Sequence, residues 1–210
     1  MMKEPARTCG IDLGGTSIRV GLFDHNLNLI ESRSMPTRVA AGPEAAVNAM
    51  AEAIRSLCET HPGTPLEGIG IGSPGPINLR TGVLGLLPKL PTWNSFPLRD
   101  ALNEATLLPV YLESDANAAA IAEWKLGAGK AAGVTSLAMI TLGTGVGSGL
   151  ILNGRVWHGM FGMGGELGHS VIEPQGPMCV AALRVVSKCM PAPTDSCAWR
   201  VKWPPLQPAP

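Results

Sequence analysis

The sequence predicts an α/β fold. Between Gly10 and Trp157, runs of alternating apolar residues take turns with segments of helical period. Two glycine-rich turns each follow a strand-like run, at Gly14-Gly15 and Gly143-Thr144-Gly145. Hydrophobic residues make up 45% of the 210 and charged residues 15%, which supplies a buried core and excludes a disordered chain.

Gly10 to Leu13 forms a strand that ends in the first glycine turn, and Ile18, Val20 and Leu22 then alternate as a half-buried partner. Leu27 to Ser34 is a third strand. Pro43 with Glu44 opens a helix whose apolar face is Val47, Met50, Ala51, Ile54 and Leu57, and His61-Pro62-Gly63 stops it. Glu67 to Gly72 and Val110 to Glu113 read as buried strands. Ala116 to Leu126, rich in Ala, is helical, with Asp115 at its N-terminal edge in a position that suits a cap. Thr135 to Leu142 is a strand, and Asn153-Gly154 is the preferred two-residue hairpin turn between Leu150–Leu152 and Arg155–Trp157.

Sixteen basic residues balance sixteen acidic ones, so no electrostatic footprint for nucleic acid or an anionic membrane exists. Five cysteines without a paired framework suit free thiols in a reducing cytoplasm. The N-terminal residues lack the apolar segment of a signal peptide, and no run is long enough to span a membrane. All 26 glycines lie at or before Gly176, while prolines accumulate from Pro191 onward, so the last part of the chain reads as a tail without helix or central strand.

An approximate internal repeat is the most informative feature. Ile11-Asp12-Leu13-Gly14-Gly15-Thr16 is echoed by Ile140-Thr141-Leu142-Gly143-Thr144-Gly145. A strand, a glycine turn and a second strand expose backbone N–H groups at a hairpin tip. Glycine lets that backbone approach phosphate oxygens, and Thr adds a hydroxyl donor. A dinucleotide fingerprint needs a helix straight after the loop, and a Walker loop needs Gly-Lys-Ser/Thr; neither is present.

Six motifs then occur in one order: Asp12-Leu13-Gly14-Gly15-Thr16, Gly72-Ser73-Pro74-Gly75-Pro76, Pro91-Thr92-Trp93-Asn94, Asp115-Ala116-Asn117-Ala118-Ala119, Leu142 to Gly147, and Gly165-Glu166-Leu167-Gly168-His169. From Gly10 to Cys179 the chain resembles the ROK-family sugar kinases, the bacterial glucokinase-like group. That resemblance implies a two-lobed actin-like (ribonuclease H-like) ATPase fold with an incomplete second lobe. Residues 1–114 would form the first lobe, 115–179 part of the second, and 180–210 a tail foreign to the family. It implies Mg-ATP as phosphoryl donor and a hexose, glucose foremost, as acceptor. Asp115 would be the general base toward the sugar hydroxyl. Asp12 would position magnesium, and Gly14, Gly15, Thr16, Gly143, Thr144, Gly145 and Gly147 would cradle phosphates. Gly75, Asn94, Ser114, Glu166 and His169 would line the sugar site. A homodimer is the assembly it implies, although no apolar stripe marks an interface.

The departures are specific. Ser114 stands where the family commonly has Asn, Lys89 where glucokinase-like members often show Asn, and Ser148 where the second phosphate loop carries Gly or a small apolar residue. Of the family's zinc ligands, His169 and Cys179 are present, but Ala181 and Val186 occupy the next two positions, so a complete zinc shell is not expected. The codons of Val186 to Ala192, read from their third bases, can encode Leu-Glu-Met-Tyr-Ala-Ser, which restores the missing family motif. A frame change near Cys179 is therefore the preferred reading of the tail. Other acceptors remain open, N-acetylhexosamines among them, as does a non-catalytic remnant. A sugar-responsive repressor is disfavoured, because the first phosphate strand begins by Gly10 and leaves no room for a DNA-binding module before it.

Overall fold

The structure, a computed structural model, describes residues 6–87, 90–142, 146–160 and 162–171. Strand β1 (Arg7–Leu13) turns back antiparallel as β2 (Ser17–Phe23), which pairs with β3 (Leu29–Pro36). Helix α1 (Pro43–Thr60) then crosses to β4 (Leu66–Ser73), parallel to β1. A small hairpin, β5 (Ile77–Asn78) and β6 (Val83–Leu84), precedes α2 (Leu98–Thr106) and β7 (Val110–Ser114), parallel to β4. The five-stranded sheet has the order β3-β2-β1-β4-β7. Beyond it come α3 (Asp115–Lys125), α4 (Ala128–Ala131), β8 (Leu137–Leu142), β9 (Val146–Leu152) and β10 (Arg155–Val156), with a second sheet ordered β10-β9-β8.

The predicted stripe of α1, Val47, Met50, Ala51, Ile54 and Leu57, is buried in full and shares a core with Ile11, Leu13, Ile18, Val20, Leu22, Ile69 and Ile71 of the sheet. Pro43 opens the helix, where its missing N–H costs nothing. Burial also pushes the Cys9 thiol up to about 12, aided by Cys58 and opposed by Arg7, so Cys9 behaves as a small apolar residue. Helix α2 was not visible in the sequence. Its apolar residues Leu98, Ala101, Leu102 and Ala105 do follow the helical period, but the run is only nine residues long and no side chain caps its start.

Several boundaries differ from expectation by one to three residues, the first strand starting at Arg7 rather than Gly10 among them, and three have a visible cause. The third strand starts at Leu29, because Asp24 Oδ1 accepts the Asn26 and Asn28 N–H groups (2.8 and 2.9 Å) and Leu27 takes φ 63° in the resulting turn. Strand β8 starts at Leu137 rather than Thr135. Thr135 and Ser136 instead accept from Gly154 N–H (2.7 Å) and Asn153 N–H (3.1 Å), and these two turn residues have φ 75° and 49°, as the Asn-Gly hairpin requires. Helix α3 starts one residue early, at Asp115, and its cap is Ser114, whose Oγ accepts the Asn117 N–H at 3.2 Å.

The chain divides into two compact units, residues 1–139 with 148–166 and residues 140–147 with 167–210. In the second unit the described residues comprise the end of β8, the start of β9, a 3₁₀ turn at Leu167–His169, and Ser170 and Val171. The tail from 180 to 210 and the inferred frame change near Cys179 lie outside the described residues. No described helix is long and apolar enough to cross a membrane.

Candidate active site

Parallel strands bring their carboxyl ends to one edge, the usual place for a ligand in an α/β sheet. Here the register aligns Asp12 of β1 with Gly72 of β4, and Gly72 with Glu113 of β7; Ser73 aligns with Ser114 one step further. A Cβ on Gly72 would stand 3.5 Å from the Cα of Asp115. The strand ends therefore gather Asp12, Asp115 and Glu113 around a residue with no side chain. Asp12 and Asp115 are both exposed.

The first glycine turn is fixed by backbone geometry. Gly14 N–H donates to the Ser17 carbonyl at 2.9 Å, and a Cβ on Gly14 would lie 2.8 Å from that same oxygen. Only glycine fits. Thr37, at 2% exposure, locks the turn from beneath: its hydroxyl donates to the Gly14 carbonyl (2.7 Å) and its N–H to the Thr16 carbonyl (3.0 Å). Nothing in the sequence singled out Thr37, because its role arises from a contact across 23 residues.

At the β7–α3 junction one carboxylate meets three donors or acceptors. Glu113 Oε1 accepts the Ser114 N–H (2.9 Å) and the Asn117 Nδ2–H (3.0 Å), while Glu113 Oε2 is 2.7 Å from His158 Nε2. Sequence reasoning missed Glu113 and His158. The one hint was a carboxylate beside the Ser-Asp-Ala-Asn run at a strand end. Asp115 Oδ1 accepts the N–H of Ala116 at 2.7 Å.

The expected sugar-site residues lie on several separate segments. Gly75 is exposed just beyond β4, next to an open cavity of about 880 Å³ whose lining includes Pro76, Arg80, His158 and Met160. Asn94 is exposed, and its Oδ1 accepts the Leu87 N–H at 3.0 Å. Glu166 is exposed, and its N–H reaches the Met163 carbonyl at 3.4 Å. Ser148 is buried and donates to the Gly165 carbonyl, so its hydroxyl ties two chain segments together. Gly147 and His169 are half-buried and belong to the second unit. Lys89, Gly143, Thr144, Gly145 and Cys179 lie outside the described residues. Two of the four positions at which the family carries zinc ligands, Ala181 and Val186, have no ligating atoms.

The profile of the ROK family matches residues 8–184. The chain belongs to the ROK family. Its sheet, antiparallel through β3-β2-β1 and parallel through β1-β4-β7, is that of the actin-like ATPase fold of ROK sugar kinases. This ROK chain is 39% identical over 175 residues to the glucokinase of Thermotoga maritima, covering 83% of this chain and 54% of that protein. It is 36% identical to the N-acetylmannosamine kinase of Citrobacter koseri, covering 82% and 57%. Among solved structures, a ROK hexokinase from Thermus thermophilus superimposes with a TM-score of 0.74 at 44% identity, covering 85% of this chain and 57% of that one. A ROK glucokinase from Streptomyces griseus, in complex with glucose and AMPPNP, gives 0.72 at 33%, covering 85% and 55%. The chain spans about half the length of the curated relatives it matches.

Proposed function

We propose that the chain carries the catalytic carboxylate and first phosphate turn of an ATP-dependent hexose kinase, with glucose as acceptor. The observation that carries this is the exposed Asp115 at the start of α3, beside the strand end of Asp12, with helix capping assigned to Ser114 instead. Capping is the competing explanation for an Asp here; the N-cap position itself is held by Ser114, while Asp115 Oδ1 accepts the Ala116 N–H of the same turn.

A nucleotide here is supported by the turn at Gly14, Gly15 and Thr16, which follows directly on Asp12 and is closed so tightly that Gly14 has no room for a side chain. Gly14, Gly15 and Thr16 would hold phosphate oxygens, with Gly143 to Gly145 and Gly147 as the matching second turn, and Asp12 would hold magnesium. Mg-ATP supplies the phosphoryl group and neutralises its charge. Asp115 would accept the proton of the sugar hydroxyl as that hydroxyl's oxygen takes the γ-phosphoryl group from ATP and ADP is released. Gly75, Asn94, Ser114, Glu166 and His169 form the sugar site in this reading. Relatives named glucokinase favour glucose, and those named N-acetylmannosamine kinase define the competing acceptor.

ADP release with glucose and Mg-ATP, measured on the purified chain, tests the reading. Asp115→Asn should lower kcat by about 10²–10⁴-fold, the usual contribution of a positioned base. An unchanged kcat in that variant refutes the role of Asp115. A kcat/KM higher for N-acetylmannosamine than for glucose would reassign the acceptor.

A further inference from the structure

We infer that Glu113 is a positioning residue that sets the direction of the Asp115 side chain by tying the first turn of α3 to the segment of His158. This rests on the proposed role of Asp115.

One carboxylate serves both sides of the junction. Its Oε1 holds the peptide N–H of Ser114, the residue directly before Asp115, and the side-chain amide of Asn117, two residues after it. Asp115 is thus bracketed. The other oxygen reaches His158, 45 residues further along. Glu113 is only 20% exposed, so these bonds are partly shielded from water, where charge-assisted bonds are strongest.

The bracket extends into a tight seam. Asn117 is buried, and donation of its Nδ2 to Glu113 turns its Oδ1 toward Gly165, whose added Cβ would lie 3.6 Å from that oxygen. The opposite amide orientation would set oxygen against carboxylate, so Glu113 dictates it. On the same helix face a Cβ on Gly149 would lie 2.7 Å from the Ala116 carbonyl and 2.7 Å from the Ala120 Cβ. Gly165, held also by Ser148, immediately precedes Glu166. A change in Glu113 therefore reaches the orientation of Asp115 through bonded neighbours on both sides. Orientation errors of this kind act on kcat more than on nucleotide binding.

The experiment compares Glu113→Ala with Glu113→Gln, whose amide keeps an acceptor for Ser114 and Asn117 and a donor for His158. Glu113→Ala should lower kcat about 30- to 100-fold with the KM for ATP within twofold, and Glu113→Gln should restore kcat to within fivefold of the wild type. A kcat within threefold in Glu113→Ala, or an equal loss in both variants, overturns the inference. Should Glu113→Ala not fold, His158→Ala decides: a kcat loss of about tenfold at constant KM supports the tie, and none overturns it. If the wild-type chain transfers no phosphate, the kinase reading fails by itself. The tie is then read from amide exchange: tenfold faster exchange at Ser114 and Asn117 in Glu113→Ala or His158→Ala, with β1 and β2 unchanged, supports it, and unaltered protection overturns it.

Discussion

Strands β1 and β8 end in nearly the same phrase, Ile11-Asp12-Leu13-Gly14 and Ile140-Thr141-Leu142-Gly143, yet their apolar residues meet opposite fates. Ile11 and Leu13 are 4% and 1% exposed, whereas Ile140 and Leu142 are 59% and 74% exposed. Alternation in a strand decides which residues share a face; only an opposing layer decides whether that face is dry. For β1 the layer is α1, whose stripe was itself legible in the sequence. Among the described residues, no comparable layer buries Ile140 and Leu142.

The sharpest way to break this contrast is a pair of truncations. Leu57→Ala, in the layer over β1, should cost about 2–5 kcal/mol in urea unfolding, while Leu142→Ala should stay within about 0.5 kcal/mol. Equal losses would show that Leu142 is packed as Leu57 is. A second test asks whether the later strands have a tight seam of their own. Gly149→Ala would press a methyl against the Ala116 carbonyl and the Ala120 side chain, and should cost about 1–3 kcal/mol in the same assay; no loss would mean that α3 and β9 separate freely.

The first glycine turn gives a smaller effect. Thr37→Val removes the hydroxyl that donates to Gly14 and should cost about 1 kcal/mol in thermal unfolding, whereas a neutral result would leave the turn held by backbone bonds alone. The smallest effect concerns the edge strand β3. The His61 hydrogen bond, with help from Arg33, holds the Glu31 carboxyl below the ordinary glutamate range. Its folded pKa is lower than its unfolded one, so its stabilisation is present above about pH 4.5 and is lost as pH falls further. Glu31→Gln should therefore flatten the acid limb of a stability–pH profile; parallel profiles would remove Glu31 from that account.

Most of the fold was written in local pattern. Ile18, Val20 and Leu22 announced β2 by alternation, and Val47 to Leu57 announced α1 by period. The first glycine turn and the helix start near Asp115 were legible because turn chemistry and strand ends are local too. Thr37, Glu113 and His158 were not. Each is an ordinary polar residue in its own neighbourhood and gains its task from a partner brought close by the sheet. Asp115 stood out as a capping type, but the N-cap position falls to Ser114 and Asp115 holds the Ala116 N–H from inside the first turn, since the helix begins one residue earlier than its alanines advertise.

Gly72 has a consequence for how closely chemistry can be tuned at this edge. Standing in register with Asp12 and within contact of the Asp115 backbone, it acts as a gauge block whose thickness is that of bare main chain. A methyl there would just touch; an isopropyl group would wedge the helix start outward and widen the gap between the two acids. The approach of the two backbones is thus set by main chain alone, and a longer residue 72 would demand a shifted opening of α3.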